Sequence, residues 1–151
     1  MVRIARLILA VLILAAGFLA PARAEPVKVT FLLVNDIYTA AEDSGRGGFA
    51  RLNAVVKAER AAREHVIYAK AGDLISPSLL SGLDQGAHTV ALINLAPPDI
   101  FTPGNHEFDF GPEVFATRMG EARFPLFAAN LRTKGGQPVT GFKDTEIRDV
   151  G

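Results

Sequence analysis

The chain of 151 residues has no cysteine. No disulfide can close its loops, so stability must come from packing or from bound ligands. It also has no internal repeat and no low-complexity tract, which excludes a solenoid or fibrous design. Basic charge is not in excess, with 16 Lys and Arg against 16 Asp and Glu. Bulk electrostatics therefore give no reason to expect a nucleic-acid partner. A long apolar run is missing as well. Leu7 to Ala20 is uninterrupted by polar side chains, but it stops at Pro21, short of the roughly 20 residues a membrane-spanning helix needs.

That short run has the form of an export signal. Arg3 and Arg6 precede it, and Ala22-Arg23-Ala24 supplies a small-x-small cleavage site before Glu25. The expectation is a signal peptide over 1–24 and a folded piece over 25–151, periplasmic or secreted, meeting the membrane only during export. An uncleaved anchor is the alternative. Removal of 1–24 takes three of the 16 bases (Arg3, Arg6 and Arg23) and no acid, leaving 13 against 16 and a net charge of −3.

In the remainder, strand-like and helix-like segments alternate. Val27–Val34 is apolar and β-branched enough for a strand covered on both faces. A small, polar, Gly-containing loop follows over 38–48. Phe49, Leu52, Val55 and Val56 then recur on one side of a helix that runs to about Arg63. Val66–Ala69 reads as a second strand. Ser76-Pro77 reads as a helix start, and residues 86–96 as a helix ended by Pro97-Pro98. Residues 99–102 form a third strand, Pro112 opens a short helix through Arg118, and Phe124–Ala128 is a fourth strand. Lys134-Gly135-Gly136 is a turn before a terminal strand or strand pair, with Thr145–Val150 as the half-buried candidate. This order predicts a layered α/β domain.

The polar residues that follow three of the strands can do chemistry. Asp36 closes the first apolar run, Asp73 follows the second behind Gly72, and Asn105-His106-Glu107-Phe108-Asp109 follows the third. In a parallel sheet such positions converge, because ligands collect beyond the carboxyl ends of strands. Each could be a turn or cap residue instead. Two carboxylates brought together repel unless a cation offsets them, and a divalent metal held by Asp36, Asp73 and the Asn105 amide would do so. His106 can transfer a proton near neutral pH, and Asp109, three residues on, can orient its ring. A structural His–Asp contact is the alternative. Glu107 could be a ligand but reads more as a fold-holding carboxylate, His65 as an exposed helix end and His88 as structural.

These motifs resemble the amino-terminal metallophosphoesterase domain of secreted 5'-nucleotidases, within the calcineurin-like superfamily. The matching segments are 33–38, 47–52, 71–73, 104–109 and 128–131, spread over essentially all of 27–151. The resemblance implies the first half of a layered metallophosphoesterase β-sandwich flanked by helices. It also implies two divalent ions (Mn, Zn, Co, Fe or Mg) and a small phosphorylated substrate, most plausibly a nucleotide. Asp36 would bind one ion, Asp73 bridge both and Asn105 bind the second, while His106 with Asp109 would stabilise the phosphoryl group. Tyr38 occupies the place of the family's first metal-binding histidine, so its phenol would ligate weakly or as phenolate. The family's later metal-binding histidines have no counterpart, since no histidine follows His106. The expectation is therefore half of an active site, with a further C-terminal half in the full protein. The rival reading is a non-catalytic exported protein, or a fragment retaining only the fold.

Overall fold

A computed structural model describes residues 25–150. The expected export signal lies outside the described residues. Five parallel strands form one sheet: β1 (Thr30–Val34), β2 (Val66–Ala71), β3 (Ile100–Thr102), β4 (Leu126–Phe127) and β5 (Phe142–Lys143). They lie side by side in chain order. Thr30 pairs with Val66 and Val34 with Lys70, Ala71 pairs with Thr102, Phe101 with Leu126, and Leu126 with Phe142. The first three crossovers carry helices α1 (Phe49–Ala62), α2 (Ser81–Asp84), α3 (Ala87–Ile93) and α4 (Pro112–Gly120), and the fourth is a long loop. Parallel neighbours require such connections, because a tight hairpin can join only antiparallel strands.

The main core gathers Phe49 of α1, Leu74 and Ile75 of the loop after β2, Val90 and Ile93 of α3, Phe101 of β3, and Phe115 and Met119 of α4. Phe115 stacks on Phe142 of β5 with ring centroids 5.7 Å apart. Val56, Tyr68 and Ala96 form a smaller cluster against Leu32 and Val34. Each large apolar side chain buried here contributes roughly 1.5–3 kcal/mol. Asn53 also lies inward on α1 and donates to the Leu92 carbonyl of α3 at 3.1 Å, stitching the two helices together.

The α/β class holds, and several details differ from the sequence reading. The first strand begins at Thr30, and among the described residues only one of its faces is covered: Phe31 is 67% and Leu33 68% exposed. A continuous apolar run shows that both faces repel water, not that both are packed. Val55 points outward from α1, since Asn53 and Val56 take the inner positions. Ser76-Pro77 does not start a helix; the next one begins at Ser81 and lasts a single turn. Residues 145–150 form no strand, and pairing ends with the two residues of β5. His65 is half-buried in the turn into β2, where its carbonyl accepts from Thr30.

Candidate active site

The register sets the ends of β1, β2 and β3 side by side, so the segments that follow them share one edge of the sheet. Asp36 and Asp73 both adopt left-handed backbone, with φ of 54° and 52°. Non-glycine residues seldom do so, and such strain concentrates at functional sites. Two glycines allow the second and third loops to touch. A Cβ on Gly72 would lie 2.5 Å from the Gly104 amide nitrogen, and one on Gly104 would lie 2.1 Å from Asp73 Oδ1. Gly72 also has φ of +71°, a conformation open to glycine at little cost.

Glu107 binds these two loops together. Its fully buried carboxylate accepts from the backbone N–H groups of Asp73 (2.9 Å), Leu74, Ile75 and Gly104. The fold-holding role expected for it is what the structure shows. The His106 N–H donates to Asp73 Oδ1 at 3.1 Å, fixing one oxygen of that aspartate. On the other side of the turn, the Lys70 ammonium donates to the carbonyls of Gly72 and Asp73. Burial pushes the Lys70 pKa down to about 8, against the raising influence of Glu107, Asp73 and Asp36.

His106 begins a short 3-10 turn, His106–Phe108. Its Nδ1 lies 2.7 Å from Asp109 Oδ2, and the Ser76 hydroxyl donates to that same oxygen at 2.7 Å. The hydrogen bond to Asp109 raises the His106 pKa above its ordinary value. The hydrogen bonds from His106 and Ser76 lower that of Asp109. With Asp109 ionised, Nδ1–H is the donor, which leaves Nε2 available to another partner.

Asp36 and Tyr38 line an open cleft of about 510 Å³ together with Arg46, Gly47 and Gly48 of the following loop. The structure thus joins Asp73, His106 and Asp109 through direct hydrogen bonds, whereas Asp36 sits on the neighbouring loop with no direct hydrogen bond to them. His88 is elsewhere, on α3, with Nδ1 2.9 Å from Asp84. As donors, two carboxylates and an amide suit a hard divalent cation. Their number falls short of full coordination, and among the described residues no group of three or more His, Cys, Asp or Glu stands close enough to hold a metal. Two residues escaped the sequence reading. Lys70 lay past the expected end of its strand, although alternation from inward Tyr68 places it inward. Ser76 stood in an expected helix start, and nothing local tied it to Asp109.

A parallel sheet with acidic left-handed turns beyond its strand ends and a carboxylate-held histidine describes an α/β scaffold with a polar strand-end site. Residues 29–147 match the model of the calcineurin-like phosphoesterase family, and the chain belongs to that family. It is 33% identical to the 5'-nucleotidase of Bos taurus over 136 residues, covering 82% of this chain and 24% of the relative. Identity to the Homo sapiens 5'-nucleotidase is 32%, over 83% of this chain and 24% of the relative. Among solved structures, the NAD nucleotidase of Haemophilus influenzae aligns at 27% identity with a TM-score of 0.71, over 81% of this chain and 24% of the other. The chain thus spans about a quarter of the length of these relatives.

Proposed function

We propose that this chain forms part of a metal-dependent phosphomonoester hydrolase acting on nucleoside 5'-phosphates or related nucleotides. The observation that carries the reading is the loop contact in which His106 donates its backbone N–H to Asp73 while its ring is held by Asp109. A metal-side carboxylate and a proton-bearing imidazole are thereby fixed to one another. Family membership and the two 5'-nucleotidase relatives support the substrate class.

Asp36, Asp73 and Asn105, with Tyr38 beside Asp36, would hold the ions. When bound, two divalent ions supply an acidified water and positive charge for the phosphoryl oxygens. His106 directs an N–H at a phosphoryl oxygen or the leaving group, and stronger hydrogen bonding as charge develops lowers the barrier. Asp109 orients the ring through Nδ1–H and favours the imidazolium, the form whose Nε2–H can donate, and Ser76 keeps Asp109 in place.

Metal binding by the purified protein, measured by titration calorimetry with Mn²⁺, tests the reading. Weak binding that is lost in Asp73→Asn and kept in His106→Ala is expected. Binding untouched by Asp73→Asn would overturn the assignment. Turnover of a nucleoside monophosphate by this chain should be slight, since its ligand set is partial. Vigorous chelator-sensitive turnover would contradict that. The second reading, an exported protein that keeps the fold without catalysis, is favoured by Tyr38 at a ligand position. It predicts no turnover at any concentration of added divalent ion. Export itself predicts a mature terminus at Glu25, and mass spectrometry of the protein from its host would refute cleavage by finding Met1.

A further inference from the structure

Lys70 is fully buried at the end of β2. Lysine is seldom found so, because an ammonium deprived of water is unfavourable unless it is paired. The strand dictates its position: Tyr68 and Lys70 alternate onto the helix-covered side. From there the ammonium reaches under the turn that carries Asp73 and donates to the carbonyls of Gly72 and Asp73, the latter at 3.1 Å. Glu107 accepts the amides of that same turn. The turn is therefore gripped by a cation on its carbonyls and an anion on its N–H groups. Three carboxylates, Glu107, Asp73 and Asp36, act on this one ammonium. The side-chain ion pairs among the described residues, such as Arg51–Glu42 and Arg60–Asp99, engage none of those three acids.

We infer that Lys70 is a positioning residue that serves as a built-in counter-cation: it keeps the Asp73 turn assembled without metal and opposes the metal's hold on the Asp73 carboxylate. The first half stands on the burial of Lys70 and its hydrogen bonds to the turn that carries Asp73. The second half rests on the reading of Asp73 as a metal ligand.

A double-mutant cycle in the purified protein separates this role from simple packing. Thermal unfolding is followed in chelator for the wild type, Lys70→Met, Asp73→Asn and the double variant. Asparagine keeps an oxygen for the His106 N–H and removes only charge. Lys70→Met should lower the Tm on the order of 10 °C, and the loss should fall to less than half in the Asp73→Asn background. Equal losses in both backgrounds would overturn the inference. If Lys70→Met alone does not fold, recovery of folding in the double variant is the same positive result, and failure in both backgrounds is the negative one. Millimolar Mn²⁺ supplies the second readout. The Tm gain should be larger in Lys70→Met than in wild type, because the ion meets less opposing charge. An equal or smaller gain overturns the opposition to metal. No gain in any variant removes the metal-binding reading proposed above and the second half of the inference with it, while the cycle in chelator still decides the first half.

Discussion

His106 Nδ1 and Asp109 Oδ2 stand 2.7 Å apart across a single 3-10 turn. The contact raises the imidazole pKa and lowers the carboxyl pKa. Its charge-assisted part stabilises the fold only while both groups are charged. The Asp109 contribution is present above the carboxyl's unfolded value and is lost as pH falls through its depressed folded value. The His106 contribution is complete below the imidazole's unfolded value and is lost as pH rises through its raised folded value. The pair should therefore stabilise most between about pH 4 and 6.5. An NMR titration of the ring protons in metal-free protein should place His106 above its ordinary value, and Asp109→Asn should bring it back. An unmoved value in that variant would exclude the pairing as the cause.

Glu107 should be the most sensitive polar residue of the domain. Its carboxylate receives four backbone N–H groups from two loops. Glu107→Ala orphans all four in a dry site and should cost about 3–5 kcal/mol in urea unfolding. Glu107→Gln, with one accepting oxygen, should cost about half as much. A loss under about 1 kcal/mol for Glu107→Ala would mean that the loops are held by other contacts.

The two faces of the sheet should respond differently to substitution. Phe101 is fully buried against the helices, whereas Phe31 is 67% exposed on the other face. Phe101→Ala should lose about 3–5 kcal/mol. Phe31→Ser should lose no more than about 0.5 kcal/mol. The same Phe31 change should reduce binding of a hydrophobic dye, since Phe31 and Leu33 form part of an exposed apolar face. Comparable losses at both positions would show that the face is covered in solution.

Ser76→Ala removes the second donor to Asp109 Oδ2. Stability should fall by about 1 kcal/mol, and the Asp109 carboxyl should titrate nearer its ordinary range. Carboxyl-detected NMR reads the second effect. Its absence would mean that His106 alone sets the charge of Asp109.

The sequence made the strand-to-loop grammar legible because the relevant signals are local. Apolar runs end in Asn35-Asp36 and Gly72-Asp73, and Gly104 through Asp109 is a contiguous string. The helices from Phe49 and from Pro112 were likewise written in spacing and in proline's preference for a first helical turn. What escaped was nonlocal. Whether Phe31 and Leu33 meet a packing layer depends on what lies against β1, and no residue of β1 encodes that. Lys70 became a partner of the Asp73 turn only through strand length, one residue beyond the expected end. Ser76 reaches Asp109 across 33 positions of sequence, a contact created by the loop closure that Gly72 and Gly104 permit.

The strictly sequential strand order bears on how the domain assembles. Each strand pairs with the one made just before it, so no later segment has to be threaded between two strands already joined. Contacts in the sheet therefore span one crossover at a time, which keeps the entropy of loop closure low at each step. A chain emerging amino-terminus first could lay down β1, dock β2 through α1 and extend outward, with every intermediate presenting a single growing edge. Among the described residues, β5 would join after the others and set the Phe142–Phe115 stack on a platform whose acidic turns were already formed.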